Sequence, residues 1–109
     1  MTLRGIISRI DTFDNPEVIN IIYATRQENR WIVDAPAFVV ETPLYADENY
    51  VEPPGPEGTR YFLEVYLAKK AIKYAAWSVG AIPSLDDKVA AVIYYVEHDV
   101  YLPIAGRNS

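Results

Sequence analysis

The stretch SLDDKVAAVIYYVEHD, residues 84–99, decides how the chain is to be read. Leu85, Val89, Val92, Ile93 and Val96 recur at helical spacing and make one apolar stripe, the pattern of an amphipathic helix. Ser84 stands at the N-cap position, and Asp86 and Asp87 occupy the first turn. There the positive end of the helix dipole favours carboxylates. The spacing predicts a helix running to about Asp99. Just upstream, residues 68–79 are alanine-rich, with Ala68, Ile72, Ala75 and Val79 on one side. Gly80 follows, and glycine suits the left-handed position just past a helix end. Two helices, each with one apolar side, need a surface to cover.

The first half of the chain supplies that surface. Residues 19–25 are rich in branched and aromatic side chains and read as a strand. Residues 26–30 are wholly polar or charged and read as a hairpin loop, and residues 31–41 return to strand character. Ala35-Pro36 interrupts this second run. Proline cannot donate a ladder hydrogen bond, so the run is an edge strand or two short strands. Residues 60–67 alternate loosely and read as a further strand. At the beginning, Leu3, Ile6, Ile7 and Ile10 fall at helical spacing with Arg4 and Arg9 off the stripe, which predicts a helix over 2–12. Asn15-Pro16 marks a turn. Val100-Tyr101-Leu102 reads as a terminal strand stopped by Pro103, with a frayed tail over 105–109. The expected fold is α+β: one domain over 1–109, with an antiparallel sheet of about three to five short strands. The N-terminal helix and the two C-terminal helices are expected to pack against it. Trp31 and Trp77 are expected in its core.

Composition sets limits on function. The chain has 109 residues, half of them apolar, no cysteine, and a formal net charge of −5. One globular domain fits that length, and the apolar share excludes intrinsic disorder. The absence of cysteine removes a disulfide scaffold, a thiolate metal site and a cysteine nucleophile. A negative balance argues against nucleic acid and anionic membranes as partners. Arginines interrupt the apolar positions at the start, unlike a signal peptide. The longest uncharged stretch, between Lys73 and Asp86, is twelve residues long and holds Gly80 and Pro83. A membrane-spanning helix needs about 20 apolar residues, so a cytoplasmic location is expected.

Catalytic chemistry finds little support. His98, the only histidine, lies in Glu97-His98-Asp99. Consecutive helical residues point about 100° apart and do not converge. A histidine near a helix C-terminus is already favoured by the dipole. One histidine among scattered carboxylates does not make a zinc site. Ser8, Ser78 and Ser84 have no strand–turn–helix elbow around them. Gly55 and Gly58 sit among prolines that remove N–H donors and beside Glu57, which repels phosphate. No enzyme, no metal and no cofactor are expected.

The charge layout carries more information. Residues 42–59, TPLYADENYVEPPGPEGT, hold four prolines and no base, and read as an irregular loop. Residues 41–59 contain Glu41, Asp47, Glu48, Glu52 and Glu57, whereas the other 90 residues hold ten acids against ten bases. The whole net charge therefore falls in one stretch. Tyr45 and Tyr50 lie in it too. Tyrosine gives rigid contact area at low entropy cost, and carboxylates steer a basic partner. Tyr45, Asp47, Glu48, Tyr50, Glu52 and Glu57 are the expected partner-binding residues. A second acidic group, Asp86, Asp87, Glu97 and Asp99, brackets the last helix as cap or solvated face. Arg60, Lys69, Lys70 and Lys73 form a small basic group that balances the acidic stretch.

The order of these features resembles a known family. The Leu3-Arg4-Gly5-Ile6-Ile7 helix, the strand from Arg30-Trp31-Ile32-Val33 to Val40, the acidic proline-bearing loop and the ending Ala90-Ala91-Val92-Ile93-Tyr94-Tyr95-Val96-Glu97-His98-Asp99 carry the likeness over about two thirds of the chain. It is similar to small bacterial domains ending in A-x-x-Y-Y-x-x-x-D-A-F, encoded near polymorphic and contact-dependent toxin genes. Val100-Tyr101 stands where that family has Ala-Phe. The resemblance implies an immunity protein, monomeric or weakly dimeric, whose partner is a cognate toxin domain, often a basic nuclease. It brings no catalytic residues. The alternative reading is a non-catalytic structural or assembly protein, such as a phage or homo-oligomeric component.

Overall fold

The computed structural model describes residues 1–43, 58–79 and 82–98, and the backbone alone for 77–79. Within these, three helices cover one face of a small antiparallel sheet, as the α+β reading expects.

Helix α1, Leu3–Ser8, opens on Thr2, whose hydroxyl accepts from the Gly5 N–H at 3.0 Å. This satisfies one of the backbone donors that a helix start leaves without a partner. Leu3, Ile6, Ile7 and Ile10 are all buried. The helix is shorter than the 2–12 expected from their spacing. Arg9 leaves helical geometry, and a 3₁₀ turn, Ile10–Thr12, follows. The hydroxyls of Ser8 and Thr12 bond back to the carbonyls of Gly5 and Arg9, at 2.6 and 2.7 Å. Such local bonds compete with continued α-helix, and the tighter turn still delivers Ile10 to the core.

Strand β1, Val18–Ala24, is the centre of the sheet. It pairs antiparallel with β4, Ala37–Pro43, on one side and with β5, Arg60–Glu64, on the other. The interrupted 31–41 run resolves into β3, Arg30–Trp31, and β4, with the break around Pro36 and β4 at the sheet edge. The polar 26–30 segment is more ordered than a plain loop. It forms a two-residue hairpin between β2, Arg26–Gln27, and β3, with Glu28 and Asn29 both at positive φ (51° and 65°). That is the geometry of turns matched to strand twist. Its Trp31 is half-buried and meets Phe62 edge-to-face, with centroids 4.8 Å apart.

A register shift between Ile22 and Tyr23 makes a bulge in β5: Leu63 faces Ile22, Tyr61 faces Tyr23, and Phe62 is extra. A bulge re-aims side chains. Here Phe62 and Leu63, adjacent in sequence, both enter the core. Helix α2, Val65–Val79, begins directly after Glu64. Residues 65–67, expected as strand, are its first turn. Ala68, Ala71 and Ala75 are buried, small side chains that let α2 approach its neighbours closely. Gly80 lies outside the described residues, as do Asp99, the 100–102 strand and the 105–109 tail.

Helix α3, Leu85–His98, carries the stripe as expected: Val89 and Val92 are buried, and Leu85, Ile93 and Val96 pack against the core. Its start is a reciprocal capping box: the Ser84 hydroxyl accepts from Asp87 N–H and the Asp87 carboxylate accepts from Ser84 N–H. Arg4 ties the layers together by donating to both Asp34 and Asp86. The hydrogen bond to Asp86 first, then that to Asp34, raises the pKa of its guanidinium.

Candidate interaction faces

A half-exposed strand reads as alternating apolar and polar residues. β1 reads Val-Ile-Asn-Ile-Ile-Tyr-Ala and does not alternate. Ile22 and Ala24 face the helices, at 0% exposure each. Ile21 and Tyr23, on the opposite face, are almost as buried, at 5% and 8%. The pairing register extends that second face sideways. Phe38 of β4 and Tyr61 of β5 both lie opposite Tyr23. Three aromatic residues therefore form a row across three strands. The Tyr23 and Tyr61 rings meet edge-to-face at 6.2 Å, while Phe38 and Tyr61 are 38% and 49% exposed. Ile21, Val40 and Glu64 make the neighbouring row.

This face is framed by the ends of the acidic stretch. Pro43, at the end of β4, pairs with Val18, and Arg60, at the start of β5, pairs with Ala24. The two attachment points thus lie at opposite ends of β1. Thr42 and Pro43, expected in the loop, belong to β4, where Thr42 is buried and its hydroxyl donates to the Ile19 carbonyl at 3.4 Å. The expected partner-binding residues Tyr45, Asp47, Glu48, Tyr50, Glu52 and Glu57 lie outside the described residues.

The other charged groups divide by use. Asp86 and Asp87 are committed to Arg4 and to the α3 cap. Lys69 donates from Nζ to the Phe13 carbonyl at 2.8 Å, and the Lys70 ammonium lies over the Tyr66 ring. Arg60 sits apart from these lysines, in a hollow shared with Arg26, Glu28 and Asn29. The exposed His98 lies against the Tyr94 ring, with centroids 4.2 Å apart, and Tyr95 packs towards the core. Among the described residues no three His, Asp or Glu side chains gather as metal ligands would. Nor is any described helix long and apolar enough to cross a membrane.

A cleft of about 430 Å³ opens where the 13–16 turn, the start of β1 and the start of α2 meet. Phe13, Val18, Ile19 and Val65 give it apolar walls, and Asp14, Asn15, Asn20, Glu64, Tyr66 and Lys69 bring polar groups to its lining. That volume is within the range of small-ligand sites.

Neither the second sheet face nor the cleft was singled out by sequence reasoning. The missing alternation of β1 was the available signal for the first. The second depends on residues 44 or more positions apart, from Asn20 to Glu64, and has no local signature. No family model, no curated protein and no solved structure matches the chain.

Proposed function

We propose that the chain is a non-catalytic immunity protein that binds a basic bacterial toxin domain and occludes its working surface. The observation that carries this reading is the row of Phe38, Tyr23 and Tyr61 across the second sheet face. Aromatic anchors set among apolar neighbours are the composition of a protein-binding centre. The concentration of the net charge in residues 41–59 supports a basic partner, because carboxylates accelerate encounter with positive surfaces and discourage acidic ones. The family likeness of the sequence points the same way. The reading sets the protein in the cytoplasm, where a toxin domain would be met.

Titration calorimetry against the toxin domain encoded beside the chain, with growth rescue during toxin expression, tests it. Saturable binding and rescue are expected, with an association rate that falls as salt is added. Absence of both refutes the reading. The apolar second face equally suits self-association, so light scattering discriminates. A stable homo-oligomer that buries Phe38 and Tyr61 favours an assembly protein instead.

A further inference from the structure

Strand β4 ends the sheet on one side, and its outer edge is open over a short, bounded length. In an antiparallel ladder the backbone N–H and C=O of successive residues point alternately to one neighbour and away from it. The Ala37 N–H donates to the Met1 carbonyl at 2.8 Å, away from β1. Ala37, Val39 and Glu41 therefore turn their backbone groups outward, whereas Phe38, Val40 and Thr42 turn theirs to Tyr23, Ile21 and Ile19 of β1. Met1 occupies the outer edge at Ala37, and at the other end Pro43 has no N–H to offer. Between these two stops, the outward groups of Val39 and Glu41 have no backbone partner among the described residues. Such a row is a template for one more strand.

We propose that the outer edge of β4 receives an extended segment of the basic partner, with Lys or Arg opposite Glu41 and apolar residues opposite Phe38 and Val40. This inference rests on the function proposed above. Glu41 is exposed and is the only charged side chain on β4. A charge and a proline on an edge strand guard it against pairing with another copy. Two copies joined through Val39 and Glu41 would bring both Glu41 carboxylates close to the shared axis, on bodies that each carry −5. A cation opposite Glu41 turns the same guard into an attraction, which separates a basic partner from self-association. The neighbouring side chains set the rest of the pattern. Phe38 is 38% exposed and Val40 is half-buried, both on the second face. Phe38 also ends the aromatic row with Tyr23 and Tyr61. A strand added here therefore widens that face, supplying main-chain bonds at the edge and apolar contact beside the row.

The test follows amide hydrogen exchange in the ¹⁵N-labelled chain, alone and with the acetylated, amidated hexapeptide TKVTVT. Run antiparallel, this peptide sets its lysine opposite Glu41 and its valines opposite Val40 and Phe38. In the free chain the Val39 and Glu41 amides should exchange fast, and those of Phe38 and Val40 slowly. The peptide at ten times its dissociation constant should slow Val39 and Glu41 about tenfold. The glutamate version, TEVTVT, should bind about fivefold more weakly. Glu41→Gln should remove most of that preference while leaving the circular dichroism spectrum unchanged. Glu41→Pro deletes an outward donor without touching the β1 ladder and should bind neither peptide. Failure of the lysine peptide to slow Val39 and Glu41, equal affinity of the two peptides, or a preference that survives Glu41→Gln overturns the inference. Protection of Val39 and Glu41 in the free chain also overturns it, and protection that rises with chain concentration gives the edge to a second copy. The two readings fail separately. If a basic toxin domain binds and leaves the Val39 and Glu41 amides exchanging fast, the edge assignment falls and the function stands. If the lysine peptide protects both amides but no basic domain binds the chain, the edge assignment stands and the function falls.

Discussion

The two faces of β1 are apolar to similar degrees yet built differently. On the helix side, Ile22 and Ala24 join Leu3, Ile6, Phe62 and Val92 in one continuous cluster drawn from every helix. On the other side, Ile21 and Tyr23 are buried but stand outside that cluster, and Phe38 and Tyr61 beside them remain substantially exposed. The first arrangement is what stability requires, because each fully buried aliphatic side chain contributes about 1.5–3 kcal/mol. The second keeps large apolar area partly in water, which folding alone does not favour. The difference separates a fully enclosed cluster from two large side chains, Phe38 and Tyr61, that stay partly in water.

The largest expected effect tests the first half of that division. Ile22→Ala removes three carbons from a fully enclosed site and should cost about 2–5 kcal/mol in urea denaturation. Against a typical total of about 5–15 kcal/mol, such a loss is severe. Partner binding should fall only in proportion to the unfolded fraction. If Ile22→Ala is tolerated within about 1 kcal/mol, the helix-covered face is not the main core.

The converse experiment is Phe38→Ala combined with Tyr61→Ala. Both rings are over a third exposed, so the stability cost should be the smaller one. Binding of a partner should weaken by about 2 kcal/mol or more, as hot-spot aromatics do. Calorimetry and denaturation on the same preparation separate the two quantities. A double variant that loses stability but keeps full affinity would merge the two faces into one structural core.

How far the sequence disclosed this division depends on the kind of signal. Helix α3 was readable to its first residue, because Ser84, Asp87 and a regular stripe agree at the local level. The start of α2 was not. Tyr61-Phe62-Leu63 runs on into Val65-Tyr66-Leu67 with only Glu64 between them, and no Ser, Thr, Asp or Asn marks where the helix begins. Only the sheet register and the packing of Val65 against the core decide it. The 26–30 hairpin loop was legible from its polar run, but the short β2–β3 pairing and the two-residue turn inside it were not, because Glu28-Asn29 is not one of the glycine-containing pairs that announce such turns. The aromatic row was partly legible, since β1 visibly lacks alternation. Its width was not, because placing Phe38 and Tyr61 on either side of Tyr23 requires the register of two strands and a bulge.

A third prediction asks whether the helix layer serves stability alone. Ser84→Ala removes the hydroxyl that accepts from Asp87 N–H and frees half of the capping box. A loss of about 1 kcal/mol is expected, read as a lower thermal midpoint. The cap belongs to the helix layer, so affinity for a partner at the second face should not change. A drop in affinity that exceeds the unfolded fraction would mean that α3 reaches the interface.

The smallest effect concerns the β2–β3 hairpin, which lies between the two categories. Its Trp31 packs on Phe62 from the core, yet Arg26 sits over the same indole at 5.2 Å, with its own side chain exposed. Glu28 holds a φ of 51°, a left-handed conformation that costs most residues about 1–2 kcal/mol and asparagine less. Glu28→Asn should therefore stabilise the chain by about 0.5 kcal/mol, visible as a small rise in the urea midpoint. The substitution also removes one acidic charge from the hollow that Glu28 shares with Arg26, Asn29 and Arg60. If the hairpin is only a structural brace, affinity for a basic partner stays constant while stability rises. If affinity falls as stability rises, the hairpin belongs with Phe38 and Tyr61, and the boundary of the binding face moves to include Arg26 and Trp31.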